Sequence, residues 1–230
     1  MGVMIGSKTA SIGASLSSAT FAAAFLYSSY CGPNFPKLPT IPLILAELLI
    51  LAFCEFGPLT NFGARKLCHS FSGFMMLHLD SADPLARYFV YSVAVSSLVM
   101  VWEIGINFRF QYAKPRDVGI SVYLIIVVIF FYNQIPLEII KPVFFADPLG
   151  ALVGRYLTEQ GYTNPRWVGE KTVGGTCAVF LSTLATLGFG SWGEKFGLSV
   201  VVAIAEGLSK DFDNLFIAAI VICGYVAIGQ

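Results

Sequence analysis

Ile120-Ser121-Val122-Tyr123-Leu124-Ile125-Ile126-Val127-Val128-Ile129-Phe130-Phe131-Tyr132 carries no charged side chain, and apolar runs recur from about residue 10 to the C-terminus. Hydrophobic residues make up 56% of the 230-residue chain and charged residues 12%, with a mean hydropathy of +0.74. No soluble domain of this length can bury so much apolar surface, which predicts an all-α, polytopic integral membrane protein. Working outward from a span at 118–135, further candidates fall at about 10–31, 41–57, 70–82, 84–106, 138–154, 173–192, 196–209 and 213–229. That makes about nine (seven to nine) transmembrane or re-entrant helices. Several are shorter than the ~20 residues needed to cross the hydrocarbon core, and glycine or proline interrupts them. Such segments are tolerated where neighbours or a polar cavity cover them.

Ser81-Ala82-Asp83-Pro84, Gln134-Ile135-Pro136 and Trp192-Gly193-Glu194-Lys195 read as tight turns between spans. The longest hydrophilic stretch, Arg155 to Lys171, has 17 residues, too few for a separate soluble domain. The expectation is one integral membrane domain over 1–230. Residues 10–31 read as a first span rather than a signal peptide, because no strong basic segment precedes them. The five cysteines are dispersed without a CxxC pair, and four lie in or beside apolar runs, where Cys acts as a small hydrophobe.

With 14 basic and 14 acidic side chains the formal net charge is 0, which gives nucleic acid no footprint. The basic residues are unevenly placed. With the N-terminus inside, Lys8, Arg65, Lys66, Arg109, Lys114, Arg116, Arg155, Arg166, Lys171 and Lys210 share one side, leaving Lys37, Arg87, Lys141 and Lys195 on the other. Positive charge concentrates in cytoplasmic loops, so this ten-to-four division orients the nine-span arrangement. Four polar segments, near 58–69, 107–117, 155–172 and 206–214, then converge on the cytoplasmic face. There a soluble, phosphate-bearing reactant would meet a lipid.

Each segment carries residues suited to chemistry. In Arg65-Lys66-Leu67-Cys68-His69, Arg65 offers a bidentate fork and Lys66 a point charge for phosphate oxygens, or both are ordinary positive-inside anchors. His69 follows Arg65 by one helical turn and suits proton transfer, or is an interfacial side chain. Asp147 lies in the apolar run Val143–Gly150; a carboxylate there costs on the order of 3 kcal/mol on insertion scales, so a Mg²⁺ ligand or proton acceptor is favoured. The alternative is that Gly150-x-x-x-Gly154 is a helix-packing motif and Asp147 is merely paired to a base.

Gly169-Glu170-Lys171-Thr172-Val173-Gly174-Gly175-Thr176 is not a Walker A loop. Asn164 stands where the first glycine belongs, and no strand is expected before it. What survives is a basic, glycine-rich helix start whose N–H groups favour an anion, or a loop with packing glycines. Glu206, Asp211 and Asp213 with Asn214 supply hard oxygen donors for Mg²⁺, or form a solvated loop in which Asp213 caps the last span.

The set as a whole resembles the CTP-dependent lipid kinase family, which includes dolichol kinase, phytol kinase and the yeast-type diacylglycerol kinase. The matching residues are Arg65, Lys66, His69 and Gly73; Asp147, Gly154 and Arg155; Lys171, Thr172, Gly175, Thr176 and Phe180; and Glu206, Asp213 and Asn214. Arg116 with Gly119 and Tyr123 resembles a weaker block. Asp147-Pro148-Leu149-Gly150 departs from the family's Asp-Gly-x-Ala, and Tyr156-Leu157-Thr158 from a more basic, glycine-containing loop.

The resemblance covers about residue 60 to the end, so 1–58 reads as N-terminal spans without motif and 59–230 as the catalytic region. It implies transfer of the γ-phosphoryl group of CTP, or another nucleoside triphosphate, to a lipid alcohol at the cytoplasmic face of a bilayer. Arg65, Lys66, Arg155, Lys171, Thr172, Gly175 and Thr176 would bind the triphosphate; Asp147 with Glu206 or Asp213 would hold Mg²⁺; His69 or Asp147 would accept the alcohol proton. Gly73, Arg116, Gly150, Gly154 and Asn214 would support them. A cytidylyltransferase making a CDP-lipid is the distantly similar alternative, and a noncatalytic transporter or scaffold the alternative from another class. The endoplasmic reticulum is the expected membrane, with a plastid membrane as the other option. Oligomeric state and the lipid alcohol stay open between polyprenol, phytol and diacylglycerol.

Overall fold

In the computed structural model the described residues are 22–28, 30–31, 35–105, 108–209 and 212–228. They are mostly helical. The expected span 10–31 falls mainly outside them, as do Lys8, Lys210 and Asp211. Two compact units divide the chain: Met1–Tyr30 with Pro36–Asp117, and Cys31–Phe35 with Val118–Gln230.

The first unit contains α1 (Thr40–Phe56), α2 (Asn61–His78) and α3 (Pro84–Val101). Thr60 starts α2, its side chain accepting from the Gly63 N–H at 3.1 Å. Most of the expected polar connector 58–69 is therefore helix, and Arg65 to His69 lie on its first turns. Asp83 caps α3 by accepting from the Leu85 N–H at 3.0 Å, with Pro84 at the first helical position. The helix stops at Val101 rather than 106, because Glu103 (φ 55°) and Gly105 (φ 69°) adopt the left-handed region. α1 packs on α2. Cys54, Ala64, Leu67 and Tyr112 form a small core there, and the Ser72 hydroxyl donates to buried Glu47, a partner the sequence did not reveal.

The second unit runs α4 (Val118–Tyr132), a 3-10 turn (Leu137–Ile140), α5 (Lys141–Glu159), β1 (Arg166–Val168), β2 (Lys171–Thr172), α6 (Val173–Thr186), α7 (Trp192–Leu208) and α8 (Asp213–Ala227). The short antiparallel hairpin β1–β2 is an addition to the all-α expectation; it begins after Asn164, which a helix and not a strand precedes. Trp192–Lys195 is not a turn but the first turn of α7. Ser191 accepts from the Glu194 N–H while Glu194 accepts from the Ser191 N–H, a capping box that outweighs Gly193 as a breaker. α5 runs past residue 154 to Glu159, so Arg155 is helical, and α6 ends at Thr186 rather than 192.

α5 packs most extensively on α6, α6 on α7, and α7 on α8. Asp147, Gly150 and Gly154 recur at helical spacing and share one face of α5. That face meets α6 almost backbone to backbone: a Cβ on Gly175 would lie 2.8 Å from the Gly150 carbonyl oxygen, and one on Gly150 2.5 Å from Val179 Cγ2. Glycine at these positions is a packing requirement, as the spacing allowed. By length and composition, α3 is the one helix among the described residues long and apolar enough to cross a membrane; α4, α6 and α8 are apolar but shorter.

Gly175→Ala should lower stability by about 1–3 kcal/mol, because its Cβ meets backbone that cannot rotate away. Gly193→Ala, which meets nothing within 4 Å, should be neutral or slightly stabilising. Thermal unfolding of the two purified variants beside wild type checks both, and an unchanged Gly175→Ala would contradict the close contact.

Candidate metal centre

Three helices of the second unit each deliver one carboxylate to the same place. Asp147 comes from the middle of α5, Glu206 from the last turn of α7 and Asp213 from the first residue of α8. One oxygen of each lies within 4.8 Å of the others. Asp147 is 5% exposed and Glu206 3%, whereas Asp213 is half-buried. The chain turns between α7 and α8 as Ser209 donates both its N–H (3.3 Å) and its hydroxyl (2.8 Å) to the Glu206 carbonyl.

Lys171, at the start of β2, supplies the opposing charge. Its Nζ donates to Glu206 Oε1 and lies 3.6 Å from Asp213 Oδ2. Burial opposes the charge on Lys171, but Glu206 first, then Asp213 and Asp147, outweigh it and raise its pKa above the ordinary lysine value. Three carboxylates against one ammonium leave two formal negative charges among these four side chains. A divalent cation would cancel them. The donors are all hard oxygens, with no cysteine or histidine in the group, which suits Mg²⁺ or Ca²⁺ rather than a soft metal. Beside Asp213, buried Asn214 donates from Nδ2 to the Gly119 carbonyl at 3.1 Å, while its Oδ1 is buried and accepts no hydrogen bond among the described residues. That leftover acceptor is consistent with a cation or a donor close by.

The glycine-rich start of α6 differs from the expected anion cradle. The N–H groups of Val173, Gly174 and Gly175 already donate, to the Pro165 carbonyl (3.0 Å), Asn164 Oδ1 (2.9 Å) and Thr172 Oγ1 (3.2 Å). Thr172 is thus a helix cap, and Thr176 Oγ1 accepts from the Trp167 indole N–H at 2.8 Å. Gly150, Gly154 and Gly175 form the α5–α6 contact. Arg155 is exposed and pairs with Glu159 one turn on, at 2.6 Å. Two residues that sequence reasoning missed hold this region together. Asn164 bridges the Gly154 carbonyl (2.9 Å) and the Gly174 N–H, and Trp167 packs on Gly207. The Asn164-Pro165 pair was a readable turn signal; Trp167 gave none.

Arg65, Lys66, His69, Gly73 and Arg116 belong to the first unit. On α2, Arg65 reaches Asp117 at 3.9 Å, Lys66 is half-buried, and His69 and Gly73 are buried. Arg116 is exposed in a left-handed conformation (φ 50°), its N–H donating to the Val101 carbonyl at 2.9 Å. Comparison with family models, curated proteins and solved structures finds no match.

Removing the ammonium leaves the carboxylates to repel one another. Lys171→Met should cost about 1–3 kcal/mol, below the ~3–5 of a fully buried pair because Lys171 is partly exposed. Millimolar Mg²⁺ or mild acid should restore part of the loss, by adding positive charge or protonating a carboxylate. In the wild type the raised Lys171 pKa means that the pair's stabilisation is complete below the ordinary lysine value near 10.5 and fades as pH rises through the higher folded value. Thermal melts across pH and Mg²⁺ concentration read these outcomes; a Lys171→Met melt insensitive to both would contradict the charge argument.

Proposed function

We propose that the chain is a polytopic membrane enzyme that transfers the γ-phosphoryl group of CTP, or another nucleoside triphosphate, to the hydroxyl of a lipid alcohol. The observation that carries the reading is the convergence of Asp147, Glu206, Asp213 and Lys171, four charged side chains from four segments of an otherwise apolar chain. In-line phosphoryl transfer asks for this combination: positioned cations, acidic metal ligands and a group to take the alcohol proton. The order of the motifs along the chain, from Arg65-Lys66-x-x-His69 to Asp213-Asn214, supports the same reading through the family resemblance.

Asp147, Glu206 and Asp213 would hold Mg²⁺, which when bound supplies charge neutralisation for the phosphate oxygens. Lys171 stands beside them as a cation able to reach a phosphate oxygen. Asp147 is buried and helix-borne, which suits either a ligand or the acceptor of the alcohol proton. As that proton leaves, the lipid oxygen bonds to the γ-phosphorus, the bond to the β-bridging oxygen breaks, and CDP departs. The resemblance also assigns Arg65 and Lys66 to phosphate and His69 to proton transfer, a part of the reading that rests on motif alone. Ten basic side chains against four across the proposed loops favour a cytoplasmic active face, in the endoplasmic reticulum or a plastid membrane.

The test is purified protein with Mg²⁺, a panel of phytol, farnesol, dolichol, diacylglycerol and phosphatidate, and CTP labelled at either the γ or the α position. Label from γ should enter one lipid. Label from α in the lipid would instead identify cytidylyl transfer, and no lipid label from either would remove the enzyme reading. Asp147→Asn should lower turnover about 10²–10⁴-fold. Full turnover in both Asp147→Asn and Lys66→Ala would sink the site assignment.

A further inference from the structure

We propose that Trp167 is the surface on which the base of the nucleoside triphosphate stacks, a binding and positioning residue beside the carboxylate cluster. The inference rests on the nucleotide reading above and adds the part of the ligand that none of the charged residues addresses.

Within the hairpin, Arg166 pairs with Thr172 and Val168 with Lys171, so Trp167 is the extra residue of a β-bulge. A bulge takes a side chain out of the strand's alternation and aims it elsewhere, a device that recurs beside active sites. Here it aims the indole at α7. A Cβ on Gly207 would stand 2.2 Å from Trp167 Cζ2 and 2.8 Å from Cη2, so the ring lies directly against the α7 backbone and only glycine leaves it room. Gly207 follows Glu206, and Lys171 is on the paired strand. The ring is therefore fixed next to two members of the charged cluster.

Its polar edge is committed as well, the indole N–H donating to Thr176 Oγ1 at 2.8 Å. Yet 40% of the residue is exposed. A tryptophan of the membrane-interface belt turns its N–H toward headgroups and water. Trp167 instead donates its N–H to a side chain of the fold, Thr176, while 40% of the residue stays exposed. An immobilised, accessible π surface is what a nucleobase needs, and stacking tolerates any base because every base has a π face. Trp167 accordingly favours a nucleoside triphosphate over bare triphosphate, without choosing cytosine over uracil or adenine.

Two measurements test this. In steady-state kinetics, Trp167→Ala should raise the KM for CTP roughly tenfold to hundredfold with kcat within about threefold, and Trp167→Phe should restore most of the loss. Inhibition by tripolyphosphate, which has no base, should be unchanged in both variants. A merely structural tryptophan would instead shift kcat, the KM of the lipid and tripolyphosphate inhibition together, and that pattern overturns the proposal. In fluorescence, Trp102→Phe with Trp192→Phe leaves Trp167 as the sole tryptophan. CTP should quench it saturably and tripolyphosphate should not; quenching by brominated phosphatidylcholine vesicles with none by CTP assigns the ring to the bilayer and overturns the proposal. If the wild type transfers no phosphate from CTP, the kinase reading fails on its own. The fluorescence titration with CTP, UTP and ATP still decides the stacking: saturable quenching upholds it and its absence refutes it.

Discussion

Three carboxylates within 4.8 Å of one another are the constraint around which the second unit is arranged. Two like charges ~4 Å apart repel by about 1 kcal/mol in water and about 4 kcal/mol at the effective dielectric of a protein surface. Asp147 and Glu206 have little water to relieve that repulsion. The ammonium of Lys171 bonds to Glu206 and offsets part of that charge, and the acids in turn raise its pKa. A single ammonium offsets one of the three carboxylate charges and leaves two among these four side chains. A divalent cation at this place would relieve that imbalance.

Delivering that ammonium is a packing problem. Lys171 sits on a two-stranded ribbon, an element that is marginal by itself. The ribbon is pinned on both sides. Asn164 ties the chain entering it to the end of α5 and the start of α6, and Trp167 ties it to Thr176 and the α7 backbone. The approach of α5 to α6 through Gly150, Gly154 and Gly175 sets the distance between Asp147 and the hairpin. The glycines and the charges are thus one design: without the close helix contact, Asp147 would not share the field of Lys171.

Much of this was legible in the sequence, for an identifiable reason. Asp147 stood out because a carboxylate in an apolar run is too costly to be idle, and Glu206, Asp213 and Lys171 stood out as polar interruptions at helix ends. The helical class followed from hydropathy alone. Helix limits were less legible where caps compete with breakers. Thr60 begins α2 inside a segment that its charges suggested was a loop, and Ser191 with Glu194 begins α7 across a Trp-Gly pair that looked like a turn. Asn164 showed only as a turn signal before Pro165, and Trp167 and the Ser72–Glu47 contact left no usable trace, because each depends on a partner brought near by tertiary packing.

The start of α6 shows where local reading fails in substance. A glycine-rich segment after a lysine suggests free N–H donors for a phosphate, yet three successive donors there are already engaged by Pro165, Asn164 and Thr172. In a phosphate-binding loop the backbone itself is the receptor, so glycines are needed for its shape. Here Gly175 serves the helix contact. An anion at this place would therefore have to be met by side chains such as Lys171, or by a cation, rather than by these three N–H groups.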